Sequence, residues 1–398
     1  MNRIVELFLI VELYIPINLV ISAYSITNIP IQFITLVILP YFSLINHNCF
    51  IFTNIFLYSL LFLKGKPNKL KEHRKETGKE LEIVRCIVII LVTIAIFACD
   101  FSNFPKRFFK SKFYGCSLMD LGVGSFLFNN GLTIHLRKKS SILKSAFFLF
   151  LLGFLRLFVI LFFNYSVDLN EYGFLFNFYF VLSFVYLIYL VVGKKYNLFV
   201  SIFIGLIYQY CLNCGLDSFI LSDERNSFLK MNKEGIFMIL PSYCILVLSE
   251  KLGKIVFFIT NDSQKKEKED LLCVYKVFLF FLISLFVYSF VSEKILPCRR
   301  QCNFTFIIFI ILFHSVQVFF IKLFRMFYYL PCEFVLFCGK NMLNIFLWSN
   351  FLVLIFNLRY DLQSFGDKES VICNLFYLTS SFLAPYYFKK LIKKEVDQ

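Results

Sequence analysis

Asp100 and Lys110 stand ten residues apart in "DFSNFPKRFFK", between two long apolar runs. A carboxylate held against a proton donor can act as a general base, help worth roughly 10²–10⁴ in rate. An ammonium beside it can steady the carboxylate or a negative charge that develops nearby. The same two side chains can instead close one end of a helical bundle as an ion pair. Desolvation would raise the carboxyl pKa and make Asp100 a stronger base; a neighbouring Lys⁺ does the opposite. Asp120 follows in "YGCSLMDLGVGSFLFNNG", where an acid in a first helical turn also suits the helix dipole. Gly122-x-Gly124 is not a dinucleotide fingerprint, because no strand precedes it and the third glycine is missing. His314 is the rival base, mid-run and with no acid near it in sequence; its other reading is a packed, hydrogen-bonded side chain. His135 ends the fifth apolar run beside Arg137. Cys211-x-x-Cys214 has no second pair, so no metal site is expected. Cys298 and Cys302 flank Arg299-Arg300, a spacing that permits a disulfide in an oxidising compartment.

The elements that must position these groups are membrane helices. Hydrophobic residues make up 59% of the chain and 56 residues are Phe. A bilayer core of about 30 Å takes roughly 20 helical residues to cross, and the apolar runs are continuous rather than alternating, which excludes barrel strands. The expected spans are 5–23, 27–45, 49–63, 83–99, 117–136, 145–163, 174–192, 198–214, 235–249, 271–291, 304–322, 341–358 and 371–387, about thirteen in all. The fold class is therefore all-α, a polytopic transmembrane bundle forming one integral-membrane domain over residues 1–398. The stretch 324–338, short and broken by Pro331, reads as interfacial or re-entrant. Basic clusters follow spans three, five, seven, nine, eleven and thirteen. The net charge of +15 is thus mainly an orienting signal, placing the C-terminus in the cytosol and the N-terminus on the lumenal side. The first run reads as a retained span rather than a cleaved leader.

In that topology Asp100 lies below the lumenal surface. Fifteen residues from Arg85, at 1.5 Å each, rise only about 22 Å, less than the hydrocarbon thickness. An intramembrane carboxylate is a functional candidate by default. Phe101, Phe104 and Phe108 share one apolar face beyond it, and Pro105 predicts a turn before any helix starts. A turn there can bring Lys110 back toward Asp100.

"CDFSNFPKRFFKSKFYGCSLMDLGVGSF" resembles the signature of the GPI-anchored wall transfer protein family, called phosphatidylinositol-glycan class W in animals. The signature block covers 85–136, and supporting blocks cover 152–178 ("LGFLRL", "NEYGFLFNF"), 208–236 ("YQYCLNCGLDSFIL" through "NKEGI") and 299–357. The chain departs from the family at Leu175-Phe176, where His-Trp is expected, and lacks an acid near Lys112. The resemblance implies a multi-pass endoplasmic reticulum acyltransferase. Its partners would be acyl-CoA as co-substrate, typically palmitoyl-CoA, and glucosaminyl-phosphatidylinositol, whose inositol ring is acylated in GPI-anchor biosynthesis. No other cofactor and no nucleic acid are implied. The family's catalytic pair falls on Asp100 and Lys110. Arg107, Asp120, Arg156, Asn177, Gln209, Lys233 and Glu234 are candidates to recognise sugar, inositol or phosphate, or to pair among themselves with Glu171. Arg137, Lys138 and Lys139, with Lys194 and Lys195, are candidates for CoA phosphates, or simply part of the orienting charge. The alternative is a polytopic lipid or solute transporter or scramblase.

Overall fold

A computed structural model describes residues 3–64, 79–163, 168–193, 197–257, 266–326 and 332–396. Most of the basic stretch after the third run, the Lys194–Lys195 pair and Pro331 lie outside them. Each expected span coincides with a helix, and no β-strand occurs among the described residues. This is how a chain satisfies every backbone group without water. Among the described residues, seven helices are long and apolar enough to cross a membrane: Lys79–Ala98, Lys139–Phe162, Asn197–Leu221, Lys233–Val256, Asp270–Ser292, Phe304–Arg325 and Met342–Arg359. Four apolar helices among the described residues are shorter: Tyr14–Ala23, Ile29–Ile45, Cys49–Leu63 and Phe178–Val192. The run expected from 174 begins its helix only at Phe178, because Asn177 caps it: its Oδ1 accepts from the backbone N–H of Tyr179 and Phe180 at 3.0 and 3.3 Å. Within 324–338 the described parts are the end of the helix Phe304–Arg325 and the start of the eight-residue helix Glu333–Lys340.

Lys139–Phe162 shows why these helices belong in lipid. One face, with Ile142, Ala146, Leu149, Gly153 and Ile160, is buried. The other carries Phe147, Leu151, Phe154, Phe158 and Phe162, all at least half exposed. A water-soluble helix would turn charge outward here; an unbroken exposed apolar ridge fits hydrocarbon.

The chain forms two compact units. The first comprises Met1–Phe109, Ser117–Met119 and Gln317–Gln398. Its core is Lys79–Ala98, buried around most of its circumference, including Ile83, Ile87, Ile90, Ile94 and Phe97 on one side and Val84, Val88 and Leu91 on others. The Gln32 side chain accepts from the Phe334 N–H at 3.1 Å, satisfying the start of Glu333–Lys340. Lys322 and Arg325 converge on the buried carboxylate of Glu80, at 2.9 Å for Lys322.

The second unit comprises Lys110–Cys116 and Asp120–Val316, and Lys233–Val256 is one of its largely buried helices. A Cβ at Gly131 would lie 2.5 Å from the Leu246 carbonyl, and one at Gly253 would meet the Leu132 backbone. Two helices approach there at backbone distance, the packing that small residues allow in a membrane.

Candidate active site

In the first unit, Asp100 sits in the turn that ends Lys79–Ala98 and is half-buried. Its floor is aromatic. Phe97 stacks on Tyr377 at 4.2 Å and meets Phe101 and Phe356 edge-on at 5.0 and 5.1 Å. Asn357, near the end of Met342–Arg359, donates from Nδ2 to Asp100 Oδ2 at 3.1 Å. The expected turn is present: Pro105 is extended, at φ −62 and ψ 120, and a short 3-10 turn Lys106–Phe108 follows. Phe101, Phe104 and Phe108 are all buried, as their shared face requires. The Arg107 guanidinium lies over the Phe108 ring, 4.6 Å from its centre.

In the second unit, Lys110 forms an ion pair with Glu171. The backbone around Lys110 is pinned. The Ser111 N–H donates to Asp120 Oδ2 at 3.1 Å, and Gly115 N–H donates to the Pro297 carbonyl at 2.7 Å. The Cys298 thiol donates to the Phe113 carbonyl at 2.9 Å. Asp120 lies in the first turn of Leu118–Ile134, fully buried, and Arg299 Nε reaches its Oδ1 at 2.9 Å. That contact is an ion pair whose N–H is not aligned as a hydrogen bond.

Glu171 belongs to the one-turn helix Leu169–Tyr172, started by Asp168, whose carboxylate accepts from the Asn170 N–H at 3.0 Å. Gly173 ends it at φ +90, and a Cβ there would strike the Met231 carbonyl. A side chain is excluded on both counts. Beyond the turn, Asn232 Oδ1 accepts from the N–H groups of Leu175 and Phe176 at 2.7 and 3.2 Å, so the departure from the family's His-Trp falls on a backbone-anchored segment. Burial pushes the Tyr172 phenol up to about 12, against the opposing pull of the Arg299 and Arg156 charges.

Behind this turn lies a buried charge cluster. Glu234 is fully buried and takes a two-pronged contact from Arg225, at 2.7 Å for each pair of atoms. Arg300 adds Nε at 3.1 Å and Nη2 at 2.8 Å, both to Oε1. Such forked guanidinium–carboxylate contacts are the strong, orienting kind. Arg225 also donates to Asn170 Oδ1 at 3.3 Å, joining the cluster to the turn that carries Glu171. The Lys233 ammonium uses its three donors on the Phe219 carbonyl, the Ser222 carbonyl and the Ser222 hydroxyl, at 2.8, 2.6 and 2.6 Å.

The structure therefore brings together Lys110, Asp120, Lys233 and Glu234 within the polar end of the second unit, along with Glu171, Arg299 and Arg300 and with Arg225, which the sequence had shown only inside a wider block. Asn177 donates from Nδ2 to the Gly153 carbonyl at 3.0 Å besides capping its helix. Gln209 accepts the N–H of Phe304 at 3.1 Å, and its neighbour Tyr208 donates to the Gln301 carbonyl at 2.7 Å. Arg156 is half-buried on Lys139–Phe162. Arg137 donates to the Ser141 carbonyl at 3.1 Å and to the Ser145 hydroxyl. Lys138 caps Lys139–Phe162 by position, and both lysines are exposed. His314 is fully buried; its Nε2 is 2.8 Å from the Ser125 hydroxyl and its ring stacks on Phe128 at 4.5 Å.

The disulfide that the spacing of Cys298 and Cys302 permits is not formed: both are free buried thiols. Burial pushes the Cys298 thiol up to about 11, and its sulfur is turned to the Phe113 carbonyl instead of its neighbour. Cys211 and Cys214 are free and exposed.

A model of the GWT1 family matches residues 3–388. Proteins named GPI-anchored wall transfer protein 1 are similar to the chain. The one from Kluyveromyces lactis is 34% identical over 232 residues, 53% of this chain and 52% of that protein. The one from Candida albicans is 27% identical over 409 aligned positions, 87% and 84%. The one from Saccharomyces cerevisiae is 39% identical over 183 residues, 40% and 37%. The match with the Kluyveromyces lactis protein thus spans about half the length of that relative.

Proposed function

The chain belongs to the GWT1 family, and on that premise we propose that it is an acyltransferase of GPI-anchor biosynthesis in the endoplasmic reticulum membrane. It moves a fatty acyl group, palmitoyl in the simplest case, from acyl-CoA to an inositol hydroxyl of glucosaminyl-phosphatidylinositol. Asp100 takes the hydroxyl proton as the oxygen attacks the thioester carbonyl. Lys110 stabilises the oxyanion. When the tetrahedral intermediate collapses, the C–S bond breaks, the carboxyl returns its proton to the leaving thiolate, and free CoA departs.

The observation that carries this reading is the Asp100 carboxylate itself: half-buried above an aromatic floor and oriented by the Asn357 amide. A fixed acceptor is what general-base catalysis requires. Lys233 and Glu234, whose polar atoms are taken up by Phe219, Ser222, Arg225 and Arg300, would brace the wall of a sugar phosphate headgroup site rather than touch the headgroup. Arg137, Lys138 and Lys139 suit CoA phosphates on the cytosolic side, with the C-terminus cytosolic and the N-terminus lumenal.

The test is incubation of the purified full chain in nanodiscs with palmitoyl-CoA and glucosaminyl-phosphatidylinositol, following free CoA and the acylated glycolipid. Both should appear with wild type and be lost in Asp100→Ala at unchanged melting temperature. Lipid movement without CoA release would support the transporter alternative. Near-normal turnover in Asp100→Ala would remove the base assignment.

A further inference from the structure

We infer that Glu171 is a positioning residue that holds Lys110 as a fixed ammonium, so that Lys110 works as an oxyanion donor and not as a second base. This rests on the acyltransferase reading above and assigns a role it leaves open. Three observations lead to it. The Glu171 carboxylate is the ion-pair partner of Lys110 and is only 16% exposed. A lysine ammonium has three donors and no lone pair, so it can point hydrogen bonds at a developing oxyanion but cannot accept a proton.

Next, the turn carrying Glu171 is over-determined for a four-residue helix. Asp168 caps it, Gly173 closes it with a left-handed residue, and Arg225 ties Asn170 to the buried Glu234. A carboxylate needed only for solubility would not require three separate anchors.

Finally, the loop that carries Lys110 is equally restrained. Asp120, itself against Arg299, takes the N–H of Ser111, the residue next to Lys110. Backbone and side chain of Lys110 are thereby fixed from two directions. Preorganisation of a donor before charge develops is what makes such a group effective.

The experiment compares Glu171→Gln, Glu171→Asp and the exposed-pair control Glu224→Gln with wild type, in the full chain in nanodiscs, reading kcat, KM for palmitoyl-CoA and melting temperature. Glu171→Gln keeps the shape and removes the charge. The expected result is a fall in kcat of about 10- to 100-fold, below the 10²–10³ typical of deleting an oxyanion donor outright, with KM within about twofold. Glu171→Asp should recover part of the loss, and Glu224→Gln should leave kcat as in wild type. A wild-type kcat in Glu171→Gln overturns the inference, as does a change confined to KM. If Glu171→Gln lowers the melting temperature, Glu171→Asp decides: full stability with kcat still low supports positioning, whereas kcat that returns in step with stability shows a purely structural pair. Absence of CoA release from wild type would instead sink the acyltransferase reading itself.

Discussion

Glu234→Gln is the sharpest test of the polar end of the second unit. The substitution keeps the side-chain outline but leaves two guanidiniums, Arg225 and Arg300, converging on a neutral amide. Glu234 is fully buried and Arg300 is 4% exposed, while Arg225 is 18% exposed. Removing one partner of a buried ion pair costs about 3–5 kcal/mol. Because water reaches Arg225, the low end, about 3 kcal/mol, applies. For a folding unit of this size each kcal/mol moves the midpoint by about 2–4 °C, so the melting temperature should drop by about 6–12 °C. The assay is thermal unfolding of the detergent-solubilised full chain, with Glu224→Gln as reference. Glu224 pairs with Lys230 but is 66% exposed, and surface pairs of that kind contribute little. A drop within about 2 °C, or one equal to the reference, would refute the idea that Glu234 organises the cluster.

Asn357→Leu removes the donor to Asp100; hydrogen bonds to charged groups are worth about 1.5–3 kcal/mol, so CoA release should slow by about 10- to 100-fold, and unchanged turnover would contradict the orienting role. Gly173→Ala forces a side chain into a left-handed turn against the Met231 carbonyl and should cost at least about 2 kcal/mol, measured as loss of melting temperature; an Ala variant as stable as wild type would show that the turn relaxes freely. N-ethylmaleimide should modify Cys211 and Cys214 in the folded chain and reach Cys116, Cys298 and Cys302 only after unfolding, following their exposure; peptide mass spectrometry reads the order, and early modification of Cys298 would contradict its burial.

The helices were legible because a bilayer demands about 20 predominantly apolar residues in a row, and the runs around Ile87, Phe154 and Phe309 meet that demand with only isolated polar residues such as Arg156 and His314. The Phe101–Phe104–Phe108 face and the Pro105 turn were legible too, since both are decided within a few residues. Asp100 and Lys110 stood out as charges beside lipid-soluble sequence. Their partners did not. Glu171 and Asn357 are remote in sequence from the groups they hold, and Arg300 is 66 residues from Glu234; no periodicity links them. The spacing of Cys298 and Cys302 permitted a bridge, yet a buried thiol that finds a carbonyl and a backbone that turns at Cys302, φ 50, settled the outcome differently.

Tyr208 and Gln209, adjacent on Asn197–Leu221, grip Gln301 and Phe304 respectively. Arg299 and Arg300 sit just before the gripped residues. Any outward movement of this helix would therefore be passed to the arginine loop, and through it to the contacts that Arg299 makes with Asp120 and Arg300 with Glu234.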